Sequence, residues 1–580
     1  MVAADASYQE KTAISPIRSA GNLTPTQQDF PESRIGRIYS LRSQGGNSSL
    51  VSRGLITDDE IGKLMAEYEA THAVEEYWAL GWQLWPLLRT TLSADIYMER
   101  NYPGADVSYP AFSNNEKKGV ARLTRGVTYY SRLLQDYVRW VWDIRSGLAL
   151  APWRSCDVLI FGAGERYQLL GGRWVHYATG PLADLLEQVG LQCHMWQWQE
   201  QPAPAARPSA DVLPPLRAEL ALAGAMDRFG ASPSEPSWFA EFASFRHRQL
   251  DRHFSWESLV PHIASMLPMS NIFERWLRRA RPGLVVLDNW YNGPMIAAAL
   301  AAHRLGIPVM DLQHGIQEQT HSSYHWWHKA PPGGWPSRPD IFWVWGARTE
   351  SLFHETNRID QEVLRGGSLW IRRWLSNTDP HIETACAELR RQLEGYSRSI
   401  LVTLPCPASL CLRYLKDTIA KSPRNWIWLL RSHPREKLDR QRIEQELGCS
   451  AGVTVRFHNA TEWPLYALLR EVDLHVTVDS TCANEALAFR KPTILISKAG
   501  LSYFREFVDG DVMLHAERPE DFCDAADRAL LIGPARLQQV ACSLFSMDEG
   551  DTTRAVARIV EIVESVRKRQ ALGARSQAVS

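Results

Sequence analysis

The chain has 580 residues, more than one ordinary domain needs, and 45% hydrophobic against 22% charged residues is ample for packed cores. Its 64 Lys and Arg balance 65 Asp and Glu to a formal net charge of −1, which excludes a whole-protein electrostatic grip on nucleic acid. Nine cysteines, an odd number with no CxxC pair, read as reduced thiols of a cytosolic protein and not as a disulfide or zinc framework.

Residues 1–56 are rich in Ser, Gly, Gln and Pro without periodicity, and disorder is expected there. No charged and apolar leader opens the chain, and no run of about 18 apolar residues follows, so neither a secretory signal nor a spanning helix is expected. Residues 57–150 read as a helical accessory region. TDDEIGKLMAEYEA has a helix-start pattern, and two Trp-rich segments, HAVEEYWALGWQLWPLLRTTL and TYYSRLLQDYVRWVWDIRSGLAL, carry apolar residues at helical spacing. Their amphipathic pattern suits a membrane surface or a partner, and the polar stretch between them reads as a mobile loop.

From 151 the pattern changes. CDVLIFGAG, LQCHMWQW, RPGLVVLDN, IPVMDLQHG and PDIFWVWG are strand candidates separated by helices, which predicts a first Rossmann-like domain over 151–380. SILVTLP, NWIWLLRSHP, VTVRFH, DLHVTVDS and PTILIS predict a second over 381–550, and 551–580 is an amphipathic helix and tail with a basic end. The fold class expected is α/β.

Ligands of open α/β sheets bind beyond the C-terminal strand ends. The strand VVLDN ends in Asp288-Asn289, and VMDLQ ends in Gln313-His314-Gly315, where glycine permits close backbone approach. The His314 imidazole suits a general base or a hydrogen-bond donor, or an ordinary loop cap. The loop that follows carries His321, Tyr324, His325, His328 and three tryptophans. It reads as a substrate lid or acceptor surface, or as a loop packed on the accessory helices. No acidic partner or HxxxH frame makes it a metal site, and none is assigned. WIWLLRSHP ends in His433-Pro434 among Arg431, Arg435 and Lys437, a cluster suited to phosphate or a solvated charged turn. DLHVTVDS ends in Asp479-Ser480-Thr481 before a helix that these residues can cap, with Glu485 one turn inside it.

The blocks IPVMDLQHGIQ, RPDIFWVWG, LRSHP and VDSTCANEALAFRKPTILIS, in that order over about 285–500, resemble glycosyltransferases of the GT-B fold. The likeness is to bacterial surface-polysaccharide enzymes: capsule-type Kdo transferases and, more distantly, the CDP-glycerol polymerases of teichoic acid synthesis. It implies two Rossmann-like domains, no bound metal and no cofactor. It implies transfer of a sugar from a nucleotide-activated donor, such as CMP-Kdo, to a glycan or glycolipid acceptor in polysaccharide biosynthesis. The place would be cytoplasmic, at the inner face of the membrane or in a biosynthetic complex, with no nucleic-acid partner. His314 would lie near the reacting centre. His433 and Pro434 would contact donor phosphate or nucleotide, with Arg431 and Arg435 neutralising the leaving phosphate. Ser480 and Thr481 would bind phosphate, and Glu485 would hold ribose or support its helix. Gln313, Gly315, His321 and Tyr324 would line the acceptor side, with His314, Asp288 or Glu318 positioning or deprotonating the acceptor hydroxyl. The teichoic-type enzymes tend to have paired serines where this chain has Ser480-Thr481. Two other readings stand beside transfer: a nucleotide-sugar 2-epimerase, which shares the fold and requires clustered carboxylates, and a non-catalytic Rossmann-pair binding module.

Overall fold

The computed structural model describes residues 56–101, 122–147, 150–162, 166–198, 205–226, 234–250, 254–315, 317, 321–376, 378–433, 436, 438–448 and 452–579. The expectations for 1–55, for the polar stretch 102–121, and for Glu318, Pro434, Arg435 and Lys437 lie outside the described residues.

Short apolar runs form strands buried on both faces, the mark of a covered parallel sheet. The first sheet contains β1 (Val158–Gly162), β2 (Cys193–Gln197), β3 (Ala210–Asp211), β4 (Leu284–Leu287), β5 (Val309–Leu312), β6 (Ile341–Val344) and β7 (Glu362–Arg365). Their order is β7-β6-β5-β4-β1-β2-β3. The second contains β8 (Arg398–Thr403), β9 (Trp426–Arg431), β10 (Thr454–Arg456), β11 (Leu474–Thr477), β12 (Thr493–Leu495) and β13 (Met513–His515), in the order β10-β9-β8-β11-β12-β13. Every ladder in both is parallel. Each sheet starts in the middle, runs to one edge and returns to the other side of its first strand. The winding reverses between β1 and β4, and again between β8 and β11. This is the expected α/β class, two Rossmann-like domains of GT-B-like plan. The registers Phe161↔Leu287 and Thr403↔Thr477 bring the two reversal points to the C-terminal strand ends, where such sheets hold ligands.

The N-terminal helices are not a separate accessory unit, which corrects the boundary expected at 150. Helix Asp58–Thr71 opens with a capping box between Thr57 and Glu60. It joins helix Trp85–Asn101 through a small hairpin, Trp78–Ala79 with Trp82–Gln83. Ile61, Met65, Trp82, Trp85 and Leu88 share one core with Phe242, Ile263, Phe273 and Trp290. Inside it Arg89 and Glu69, both 0% exposed, pair at 3.3 Å. The Trp85 indole donates to Glu69 at 2.9 Å, and Arg89 donates to the His325 carbonyl at 2.8 Å. Buried charge is tolerated only with such pairing. Helix Arg122–Arg145 turns Trp140 inward, its indole donating to the Asp211 carbonyl. It leaves Leu134, Val138 and Trp142 exposed at 62%, 58% and 69%, one per turn.

The C-terminal segment is also integral. Helix Glu549–Val579 returns to the first domain, where Val556, Ile559 and Val563 pack with Val158, Ile160, Val286 and Met310. A Cβ on Gly283 would lie 2.9 Å from the Val563 Cα, so glycine sets how closely the helix approaches β4. Arg558 ties the helix to Glu362 on β7 at 2.6 Å.

Candidate functional site

The loops after β1 and β4 build an ionic floor. Asp288, directly after β4, is 0% exposed. The Arg166 guanidinium lies 3.3 Å from its carboxylate and the His176 imidazole 3.7 Å. Arg166 and His176 are brought there by a hairpin, Tyr167–Leu170 with Arg173–His176, turning at Gly171-Gly172 with φ of 58° and 73°. The second guanidinium arm of Arg166 donates to the His314 carbonyl at 3.3 Å. Asp288, a candidate for the base in the sequence, is therefore shielded from solvent in this structure. It is sealed beneath the site and acts as counter-ion to groups that hold the turn after β5.

His314 lies half-buried at that turn. The Tyr291 hydroxyl is 3.3 Å from its Nε2. The ring of His321 stacks on Tyr291 with centroids 5.4 Å apart. Tyr291, His314 and His321 thus form one continuous wall. Gln313, expected on the acceptor side, braces the turn instead. Its amide donates to the Gly315 carbonyl at 3.0 Å and accepts from the Trp345 N–H at 2.6 Å, and it is 2% exposed. Tyr324 is likewise no acceptor surface: at 1% exposure its ring packs among Tyr291, Phe342 and Phe353.

The aromatic loop takes the second of its two expected roles over 321–328. Trp326 donates to Asp59 at 2.9 Å, the His328 N–H donates to Glu69 at 2.6 Å, and Arg89 stacks over Trp327 at 4.4 Å. His325 sits between Thr356 Oγ1 at 2.9 Å and the Gln317 carbonyl at 2.8 Å, and burial pushes its imidazole down to about 3. These contacts bind the loop to the N-terminal helices. Among the described residues no cluster of His, Cys, Asp and Glu is arranged to hold a metal.

The second domain faces this wall. A Cβ on Gly315 would lie 3.6 Å from Thr481 Cγ2, ordinary contact distance, so the turns after β5 and β11 meet at the domain seam. The Ser480 N–H donates to Thr477 Oγ1 at 3.2 Å, and Ser480 Oγ accepts from the Cys482 N–H at 3.3 Å, a local turn bond just before the N-cap position, Thr481. The helix that follows, Cys482–Ala488, is only two turns long. Glu485 accepts from the Tyr466 hydroxyl at 2.6 Å. Burial raises its carboxyl above the ordinary value, with Tyr466, Cys482 and Arg431 opposing. His433 follows β9, half-buried, and its carbonyl accepts from the Glu436 N–H at 3.0 Å. Arg431 requires correction. One guanidinium nitrogen donates to the carbonyls of Ala460, Thr461 and Trp463, at the end of helix His458–Glu462. Those carbonyls have no partner within their own helix, so the guanidinium serves as a C-terminal cap and not primarily as a phosphate ligand.

Tyr177 joins the two sides. Burial raises its phenol; Arg166 opposes that, while Glu485, Asp288 and Cys482 add to it, so it stands among charges of both domains. Sequence reasoning missed Arg166, His176 and Tyr177 together. The available signal was the Gly171-Gly172 pair between two short apolar runs, a two-residue hairpin turn.

No family model matches the chain, and no curated protein matches it. Similar solved structures include the UDP-GlcNAc 2-epimerase of Methanocaldococcus jannaschii in complex with UDP-GlcNAc and UDP, at 12% identity over 70% of this chain and 99% of that one, TM-score 0.43. A UDP-GlcNAc 2-epimerase from Neisseria meningitidis bound to UDP-GlcNAc has 13% identity, the same coverages and a TM-score of 0.42. A ugt transferase from Siraitia grosvenorii in complex with UDP has 13% identity, again 70% and 99% coverage, and a TM-score of 0.40. Likeness this distant says nothing of chemistry, which rests on the residues themselves.

Proposed function

We propose that the chain is a glycosyltransferase that moves a sugar from a nucleotide-activated donor to a hydroxyl acceptor. The observation that carries this reading is the meeting of the turn at His314-Gly315 with the turn at Ser480-Thr481 across the domain seam. A donor lying there would have its phosphates against Ser480, Thr481 and His433 and its anomeric carbon toward His314. The acceptor oxygen would attack that carbon, and the leaving phosphate would take the bonding electrons. Transfer needs leaving-group charge stabilised and a hydroxyl positioned. The first need fits hydroxyls and backbone of the second domain; the second fits the Tyr291, His314 and His321 wall. Epimerisation would need accessible carboxylates at the reacting centre. Asp288 and Asp311 are both buried, at 0% and 1% exposure, so these strand ends offer no accessible cluster of carboxylates, which favours transfer.

A glycan or glycolipid is the acceptor class we favour. The exposed Leu134, Val138 and Trp142 stripe gives the protein an apolar face suited to a membrane surface. No described helix is long and apolar enough to cross a membrane.

The test is incubation of the full chain with UDP-, CMP- and CDP-linked sugars. Nucleotide release that depends on an added hydroxyl acceptor, with Ser480→Ala and His433→Ala raising the donor KM roughly tenfold for each hydrogen bond to a charged phosphate, is the expected result. Sugar interconversion without acceptor would replace this reading with the epimerase. No turnover, with nucleotide binding retained, would replace it with the binding module.

A further inference from the structure

Of the three groups expected to deprotonate the acceptor, Asp288 is sealed under the floor and Glu318 lies outside the described residues, so carboxylates other than these come into question beside His314. The described carboxylates near the seam can be taken in turn. Asp311 is buried on β5 and accepts from the Trp290 N–H at 2.9 Å. Glu485 is held by Tyr466. Glu436 accepts from the Ala408 N–H, and Asp479 acts with it on buried Cys411, both on the donor side. A further described carboxylate comes from the N-terminal helix.

The three acids at the start of helix Asp58–Thr71 have different surroundings. Glu60 completes the capping box with Thr57. Asp59 accepts from the Trp326 indole at 2.9 Å and pairs with Lys63 at 2.6 Å. Asp58 is required by neither arrangement. It reaches toward the second domain, where the Tyr503 hydroxyl lies 3.5 Å from its Oδ2. His321, the outer member of the wall through Tyr291 to His314, is the basic group whose charge it feels. Asp58 therefore stands where both domains and the histidine wall converge, and it keeps partial exposure.

We propose that Asp58 is the base that takes the acceptor's proton in the transfer reaction, an assignment that rests on the transfer reading above. The acceptor oxygen bonds to the anomeric carbon. The bond from that carbon to the phosphate oxygen breaks, and its electron pair leaves on the nucleotide. The hydroxyl proton passes to an Asp58 oxygen and then to water. Burial raises the Asp58 carboxyl above its ordinary value, opposed by His321 and by the Tyr503 hydrogen bond, which strengthens it as a base. His321 would orient the same hydroxyl; burial lowers its imidazole, with Asp58 opposing.

The experiment compares Asp58→Asn with Tyr503→Phe in the full chain, using whichever donor and acceptor the wild type turns over. Asp58→Asn is expected to lower kcat on the order of 10²-fold, to leave donor KM within about twofold, and to erase the acidic limb of the pH–rate profile. Tyr503→Phe removes the bridge and keeps the carboxylate, so it should retain that limb and most of the rate. The proposal falls if Asp58→Asn keeps the acidic limb. It also falls if Tyr503→Phe reproduces the whole loss, since the pair would then be a domain bridge only. A wild type that transfers while Asp58→Asn is indifferent overturns this assignment alone. A wild type that transfers to no acceptor overturns the transfer reading and this assignment with it.

Discussion

Beneath the strand reversal of the first sheet lies a cluster of ionisable groups, Asp288 with Arg166 and His176. Beneath that of the second lies His475, fully buried, with Thr403 Oγ1 at 2.9 Å and Thr493 Oγ1 at 3.1 Å, its imidazole pushed down to about 3 by burial. The winding is the same, and the chemistry differs. A ligand that brings its own negative charge is repelled less by a neutral imidazole below it than by a carboxylate. A side that must hold one backbone turn rigid gains from fixed, compensated charge. The first domain repeats this habit deeper inside, at Arg89 and Glu69, while its counterpart ion pairs, such as Arg390 with Glu471 at 2.9 Å, are partly exposed.

The largest effect that would break the contrast is on stability. Arg89→Ala leaves Glu69 charged and unpaired in the core, and about 3–5 kcal/mol of unfolding free energy should be lost. Arg390→Ala should cost about 0.2–1 kcal/mol, because water screens that pair. Urea unfolding of both variants measures the difference, and similar losses would mean the two halves do not differ in how they hold charge.

Acid sharpens the comparison at the next level. His475 and His325 are held near 3 in the folded chain, against 6.5 for a free imidazole. The unfolded chain takes up protons below 6.5 that these folded sites refuse. Their contribution to stability is therefore full above pH 6.5 and declines as pH falls toward 3. The slope is up to about 1.4 kcal/mol per pH unit for each histidine, so about 2 kcal/mol each is lost between pH 7 and pH 5. His475→Gln should flatten the measured pH slope by one histidine's share; an unchanged slope would show that His475 is not held neutral.

The smallest effect concerns the outward helical row of Leu134, Val138 and Trp142 in the first domain. Trp142→Glu should reduce cosedimentation with anionic phospholipid vesicles several-fold while leaving the melting temperature unchanged, because its indole is mostly solvent-exposed. Unchanged cosedimentation would remove the membrane surface from the proposed function. Deleting 57–150 is no substitute for this variant, since that segment shares the first domain's core.

Strand-end residues were legible because apolar runs ending in polar pairs have few alternatives in a parallel sheet. His314 and Ser480 were found this way, and the turns that carry them meet where Gly315 lies at contact distance from Thr481. What those residues do was less legible, since it depends on partners distant in sequence. Arg431 looked like a phosphate ligand until the carbonyls of 460–463 came beside it. Asp288 looked like a base until Arg166 and His176 arrived on a hairpin more than a hundred positions earlier. Asp58 read as a helix-start acid, and the placement of Tyr503 from the far domain and of His321 distinguishes it from Asp59 and Glu60. The N-terminal helices read as an appendage because amphipathicity shows that a face is buried, not against what.

The helix Glu549–Val579 has a consequence for how the protein is born. The first sheet has all its strands once Arg365 is made, yet the cluster of Val158, Val286 and Met310 with Leu182 and Leu186 lacks part of its cover until Val556, Ile559 and Val563 emerge. At ribosomal rates of about 5–20 residues per second, that apolar face waits on the order of ten to forty seconds. During that interval the second domain, complete in sequence before the helix, can fold before the first is closed.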